Sequence, residues 1–160
     1  MLEQPISRGS KLIFDFRSET HGLARITLPT MKRGKSYRLE YTLKSVNTAD
    51  ALYFQVPALE GANNYYQIIR TDSTIYKNYA MPYGEIGTLG SVAYGAGVIE
   101  FINHHDYWHV FSHGYCYQSG LAMYESKMGL NYQNDLEGSY LYARDSSFQG
   151  PATVRIWELE

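Results

Sequence analysis

Residues 37–44, "YRLEYTLK", alternate between two kinds of side chain. The apolar or aromatic positions are Tyr37, Leu39, Tyr41 and Leu43, and the polar positions are Arg38, Glu40, Thr42 and Lys44. Successive side chains of a β-strand point to opposite faces of the sheet. The alternation therefore predicts a strand of an antiparallel sheet with one buried face.

Similar short runs recur along the chain, separated by turn residues, whereas segments with a helical period are scarce. We predict nine strands, at residues 11–16, 22–28, 36–46, 51–57, 64–70, 97–103, 107–113, 139–144 and 152–159. Roughly nine short strands at this spacing predict an all-β fold, an antiparallel β-sandwich or jelly roll. Residues 11–160 form this β-sandwich domain in our interpretation.

Three segments do not fit simple hairpins. Residues 71–97 are rich in Gly and Tyr and are interrupted by Pro82, which predicts a long loop that is functional or locally folded. Residues 123–138 predict a similar excursion with one short strand. Residues 1–10, "MLEQPISRGS", predict a short extended N-terminal arm outside the core.

Charge and composition argue against several classes of protein. The formal net charge is −2, and the 14 Lys and Arg residues form no basic block, so no nucleic-acid partner is expected. No apolar run approaches the roughly 20 residues of a membrane span, and the N-terminal residues do not resemble a signal peptide. The single cysteine, Cys116, excludes an internal disulfide and is typical of a reducing compartment.

The stretch at 102–118, "INHHDYWHVFSHGYCYQ", holds four of the five histidines. Its "HDYWH" differs by one methylene from the zinc-protease motif H-E-x-x-H. On a helix, His105, His109 and His113 would stack and chelate zinc, with Asp106 beside them as a base. On a strand, residues four apart are separated by about 13 Å and cannot share one ion.

The pattern of this stretch favours the strand. Trp108, Val110, Ser112, Gly114 and Cys116 would form one apolar or small face, and Tyr107, His109, Phe111, His113, Tyr115 and Tyr117 an opposite amphipathic face. We therefore predict no metal and a role for the second face in an oligomer contact. A pairing of two histidines across neighbouring strands, or a site at His104 and His105 in a turn, stays open.

The sequence presents no catalytic constellation. His113 and Cys116 are three residues apart, and on a strand they would face opposite sides. The carboxylates Asp15, Glu40, Glu100 and Asp106 have no evident partner for glycosidase chemistry. We therefore predict a protein that is not an enzyme and that uses no cofactor.

Tyrosine is unusually frequent, with 16 residues in 160. Tyrosine favours strands and is also enriched at contact surfaces, because its ring packs while its hydroxyl remains hydrated. Tyr76, Tyr79 and Tyr83 lie in the segment 71–97, where they are candidates for loop contacts or for stacking on a glycan.

Several runs resemble a β-sandwich domain found in tailed-bacteriophage virion proteins. "KSYRLEYTLKSVNTADALYFQV" is similar to its opening strands, and "NYYQIIR" follows at the usual place. The stretch 97–120 resembles its central hairpin through Gly97, Ile99, Phe101, Asn103, Ser112 and Gly114, and "GPATVRIWEL" resembles its closing strand. His113, between Ser112 and Gly114, and the long 71–97 segment depart from that pattern.

The resemblance implies a non-enzymatic virion component made in the host cytoplasm. Such domains occur in capsid decoration (cement) proteins, often homotrimers, which bind the major capsid protein and stabilise the shell. On this interpretation Leu2, Pro5, Ile6 and Arg8 of the arm contact the capsid. The alternative is a module of a phage tail or fibre that binds a host surface glycan or receptor.

Overall fold

The computed structural model describes residues 9–46, 49–71, 74–91, 94–105, 107–117 and 121–160, with the backbone alone at 76, 78, 79, 117, 121 and 122. The strands are β1 Lys11–Ser18, β2 Ile26–Thr27, β3 Ser36–Ser45, β4 Asp50–Gln55, β5 Tyr65–Thr71, β6 Ile75–Met81, β7 Gly84–Leu89, β8 Gly95–His104, β9 Tyr107–Tyr117, β10 Leu121–Leu130, β11 Tyr140–Ala143 and β12 Phe148–Leu159. Within these residues, helix is limited to one 3₁₀ turn, Pro57–Leu59. No helix of the described chain is long and apolar enough to cross a lipid bilayer.

The strands form two antiparallel sheets. Eight strands pair in the order β1-β12-β3-β8-β9-β10-β5-β6, and four pair in the order β2-β11-β4-β7. The predicted all-β antiparallel sandwich is confirmed, with twelve strands rather than nine. All nine predicted strands are present, although the one expected at 22–28 is reduced to the two residues of β2 and an isolated bridge at Leu23.

The core lies between the two sheets. Phe54 of β4 and Phe101 of β8 meet there, with ring centroids 5.2 Å apart, and both are fully buried. Trp108 is also fully buried, and its indole N–H donates to the carbonyl oxygen of Asn134 at 3.0 Å. Burying a large apolar side chain contributes about 1.5–3 kcal/mol. The predicted inward positions of β3 are all buried: Tyr37, Leu39, Tyr41 and Leu43.

The segment 71–97 is locally folded rather than a long loop, because β6, β7 and the start of β8 occupy most of it. Several of its glycines lie inside strands where a neighbour leaves no room for a side chain. A β-carbon on Gly84 would lie 2.5 Å from the sulfur of Met128, and one on Gly95 would overlap the carbonyl oxygen of Thr88. Glycine here permits close packing of strands rather than a change of direction.

The expected excursion at 123–138 is also wrong in its first half. Residues 121–130 form β10, a ten-residue strand that lies between β9 and β5 in the large sheet. Its buried positions include the polar Ser126, and its exposed positions include the apolar Met123. A polar residue at a buried position and an apolar residue at an exposed position both weaken the alternation by which a half-buried strand is recognised.

Candidate contact surface

Strand β9 presents two different faces. Trp108 and Val110 are 0% exposed, and Ser112 and Cys116 are buried beside them. On the other side Tyr107 is 47% and Tyr115 is 50% exposed. The strand predicted for the histidine-rich stretch is therefore confirmed, and Tyr107, His109, Phe111, His113 and Tyr115 share its outward face as predicted.

The histidines do not stack as they would on a helix. His109 and His113 lie on β9, about 13 Å apart along the strand. His105 occupies the turn before β9 with a positive φ of 57°, and its ring meets that of His104 edge to face at 4.1 Å. Among the described residues, no group of three or more His, Cys, Asp or Glu side chains is placed to hold a metal ion.

Large apolar side chains are concentrated on one surface. We call the side of the eight-stranded sheet that points away from the four-stranded sheet the outer face. The large hydrophobic residues that are exposed in the described chain all lie on this outer face: Leu12, Tyr66, Ile68, Ile75, Tyr107, Phe111, Tyr115 and Met123. Exposed apolar side chains gathered on one face mark a binding interface more often than a free surface.

Charged side chains lie between these apolar residues in defined rows. In one row Lys127 of β10, Phe111 of β9 and Glu100 of β8 are direct neighbours across the sheet. The structure gives neither Lys127 nor Glu100 an ion pair with another described residue, whereas Arg38 of β3 pairs with Glu40 at 3.0 Å. The outer face therefore carries charges of both signs that are open to a partner.

A gap in the outer face lies over Gly129 of β10. Tyr66 of β5 and His109 of β9 pair with Gly129 on either side, and a β-carbon at this position would meet no atom within 4 Å. Ile68, Phe111 and Lys127 complete the walls of this depression, which has a volume of 270 Å³. The gap has the size of a side chain or of part of a small ring.

A larger depression of 470 Å³ crosses the other end of the outer face. Its floor follows one row of small residues, Ala96, Thr42 and Thr153, between Tyr115 at one end and Arg17 at the other. The concavity results from small side chains between large ones. It is shallow and open, which suits contact with a surface better than enclosure of a substrate.

Tyrosines also cluster on the far side of the four-stranded sheet. Tyr83 stacks on Tyr53 with ring centroids 4.2 Å apart, and Tyr142 meets Tyr53 edge to face at 5.5 Å. Arg25 lies over the ring of Tyr140 at 4.4 Å, and the Tyr140 hydroxyl donates to Glu60 at 2.8 Å. Burial is the main cause that raises the pKa of Tyr142 to about 12.

Tyr76, Tyr79 and Tyr83 are the three tyrosines predicted for loop contacts or glycan stacking. One ring face of Tyr83 is covered by Tyr53, so Tyr83 contributes to the cluster rather than to an open platform. The side chains of Tyr76 and Tyr79 lie outside the described part of the chain. The same holds for the four arm positions Leu2, Pro5, Ile6 and Arg8.

Cys116 does not form a nucleophile pair with His113. Its thiol points into the sandwich, where burial raises its pKa, while His113 points to the outer face. A raised pKa keeps a thiol protonated and unreactive. Cys116 is therefore a packing residue.

The residues of the phage-like pattern have structural roles in the central hairpin. Gly97 and Gly114 lie side by side under Tyr41, whose hydroxyl oxygen would be 2.7 and 2.8 Å from β-carbons at these positions. The buried hydroxyls of Ser112 and Ser126 are hydrogen-bonded at 2.8 Å. Asn103 accepts a hydrogen bond from the Gly34 N–H at 2.6 Å.

The sequence indicated the β9 contribution to the outer face but not its neighbours. Tyr66, Ile68, Met123, Lys127 and Gly129 join β9 only through strand pairing. Of these five residues, only Tyr66 and Ile68 lie in a segment whose alternation predicted a strand, residues 64–70. No protein-family model, no curated protein and no solved structure matches the chain.

Proposed function

We propose that the protein is a non-enzymatic structural component of a tailed-phage virion, of the kind that decorates and stabilises the capsid shell. The observation that carries this proposal is the outer face, where exposed aromatic and aliphatic side chains surround charges of both signs. Such a surface is typical of proteins that act by assembly. The resemblance of the central hairpin to phage virion domains supports the choice of particle.

The chemistry of the described residues agrees with a binding role. The one cysteine is buried in the sandwich, and the depressions of the outer face are shallow. The pocket of an enzyme acting on a small molecule usually buries most of its ligand. Broad apolar contact with another protein is what this geometry supports.

The arm supplies the contact with the shell in this proposal. Strand β1 begins at Lys11, directly after the arm. Pro5 disfavours helix and suits an extended path over a surface. Burying Leu2 and Ile6 in shell pockets would contribute about 1.5–3 kcal/mol for each side chain, and several copies on one particle would add avidity.

Capsids stripped of this protein provide the test. The whole chain should bind them, and a chain that begins at Ser10 should lose binding while its thermal unfolding stays unchanged. Leu2→Asp combined with Ile6→Asp should reproduce the loss, and Lys32→Gln, at an exposed position outside both sheets, serves as the charge-removing control. Full occupancy by the truncated protein would contradict the role of the arm.

A second candidate function is glycan binding at the gap over Gly129. Tyr66 and His109 flank this gap as two rings on neighbouring positions of the sheet, and tyrosine rings can stack on sugars while their hydroxyls stay hydrated. Retention of the protein on a host polysaccharide column, with loss in Gly129→Val and no capsid binding, would favour this function over decoration.

A further inference from the structure

We propose that two copies of the chain pair through their outer faces, around a two-fold axis that runs parallel to β9. The pairing goes beyond the proposed function, since it requires only the two copies and no virion. A two-fold contact is self-complementary, so each residue on one side of the axis must suit the residue on the other side. Three rows of the eight-stranded sheet, those of His109, Phe111 and Tyr115, meet this condition at their β8 and β10 positions.

The strand order determines which residues would meet. With the axis along β9, this strand lies over β9 of the second copy, β10 lies over β8, and β5 lies over β3. Face-to-face sheets pack about 10 Å apart with their strands within about 30° of each other. Residues in one row of the sheet therefore face residues of the same row, exchanged across β9.

Side-chain sizes match at both ends of the β8/β10 contact. Gly129 and Ile102 flank His109 in the same row, so Ile102 of the second copy would fill the open gap over Gly129. Met123 and Ala96 flank Tyr115 in the same way. The exposed Met123 would reach the depression whose floor includes Ala96.

Charges match between these two ends. Lys127 and Glu100 flank Phe111, so each lysine would face the glutamate of the second copy, twice in the dimer. In the next row Arg70 of β5 would face Glu40 of β3. Glu125 would face Val98, and it stays beside Arg70 of its own chain.

The available area is sufficient for a specific contact. Five strands about 4.8 Å apart and about 30 Å long present roughly 700 Å² per copy. Stable interfaces bury about 800 Å² per partner. The aromatic stripe Tyr107, Phe111 and Tyr115 runs along the axis, at the centre of this area, where contact residues contribute most.

Charge reversal in trans provides the test, read by sedimentation velocity on the whole chain. The wild-type chain should be a dimer at micromolar concentration. Lys127→Glu and Glu100→Lys should each weaken self-association about 100-fold, since each places two like-charge pairs in the interface. An equimolar mixture of the two variants should restore a dimer of one copy of each, because both pairs are then of opposite charge.

Two variants separate the pairing from other effects. Glu137→Lys makes the same charge change on an exposed residue outside the sheets and should leave the dimer intact. Gly129→Val fills the gap for Ile102 and should weaken the dimer at least about tenfold while the dissociated chain keeps its β-sheet circular dichroism spectrum. A wild-type monomer at about 100 µM, a wild-type trimer, or variants that do not complement in trans would overturn the pairing. A trimer that binds capsids would overturn it and leave the proposed function standing.

Discussion

The hydroxyl oxygen of Tyr41, in the large sheet, lies 2.5 Å from the position that a β-carbon on Gly87 of the small sheet would take. The phenol thus fills the space left by the absent side chain and joins the two layers of the sandwich. Burial is the main cause that raises the pKa of Tyr41, which keeps its hydroxyl neutral. The next nearest atoms to a β-carbon at this site are another atom of Tyr41 and one of Leu52, both at ordinary or nearly ordinary contact distances.

Gly87→Ala should therefore destabilise the fold by about 1–3 kcal/mol through overpacking. Tyr41→Phe removes the atom that clashes, so the double variant should recover most of this loss relative to Tyr41→Phe alone. Urea unfolding of the four proteins measures the coupling. Gly129→Ala, where a β-carbon meets nothing within 4 Å, is the control and should not destabilise. Additive effects of the two changes would contradict the steric account.

The buried hydroxyl pair of Ser112 and Ser126 predicts a second coupling. Either serine changed to alanine leaves the other hydroxyl without its partner, which should cost about 1–3 kcal/mol. The double alanine variant should be more stable than the sum of the two losses predicts, since no polar group is then left unpaired. A double-mutant cycle by chemical denaturation checks this, and a coupling near zero would show that the pair contributes little.

The side-chain amide of Asn103 makes two hydrogen bonds at the end of the β8–β9 hairpin, one through its oxygen and one through its nitrogen. Its oxygen accepts from the Gly34 N–H, and its nitrogen donates to the carbonyl oxygen of Tyr107 at 3.1 Å. Asn103→Asp keeps the acceptor and loses the donor, so it should destabilise less than Asn103→Ala, which should lose about 1–3 kcal/mol. Equal losses measured by thermal unfolding would show that the contact with Gly34 is unimportant.

The tyrosine cluster of the small sheet predicts a loss of stability in alkali. Burial raises the pKa of Tyr142 to about 12 from its ordinary value near 10, and it also raises that of Tyr53. The unfolded chain therefore ionises first, so the stabilising contribution is complete below about pH 10 and is lost as pH rises toward 12.

Thermal unfolding midpoints should be measured between pH 8 and pH 12. They should fall steeply in the upper half of this range, because the ordinary pKa of a tyrosine hydroxyl is about 10. Tyr142→Phe and Tyr53→Phe should each make the fall shallower, because each removes one hydroxyl whose pKa is raised by burial. The same slope in all three proteins would mean that other groups control the alkaline transition.

The fold class could be predicted because half-buried strands reveal themselves by alternation. Tyr37 to Lys44 is the clearest example, and all nine strands recognised in this way are present. Strand β7 could not be recognised, since Gly84 and Gly87 resemble turn residues until the neighbouring Met128 and Tyr41 are known. The sequence alone does not distinguish a glycine in a turn from a glycine in a tightly packed strand.

The candidate contact surface could be predicted only along one strand. The outward position of Phe111 follows from the alternation of β9, but its neighbours Lys127 and Glu100 are brought beside it by strand pairing. Strands β8 and β10 are the neighbours of β9 in the chain, but β10 was not predicted as a strand. The register that sets Lys127 and Glu100 level with Phe111 cannot be obtained from the alternation of β9 alone.

Cryo-electron microscopy of virions produced from the genome that encodes this chain tests the central proposal most directly. We expect density for the β-sandwich at repeated positions on the outside of the capsid shell, with residues 1–10 extended along the shell surface. Density for the sandwich at the tail or at a fibre tip, or virions that do not contain the chain, would contradict it.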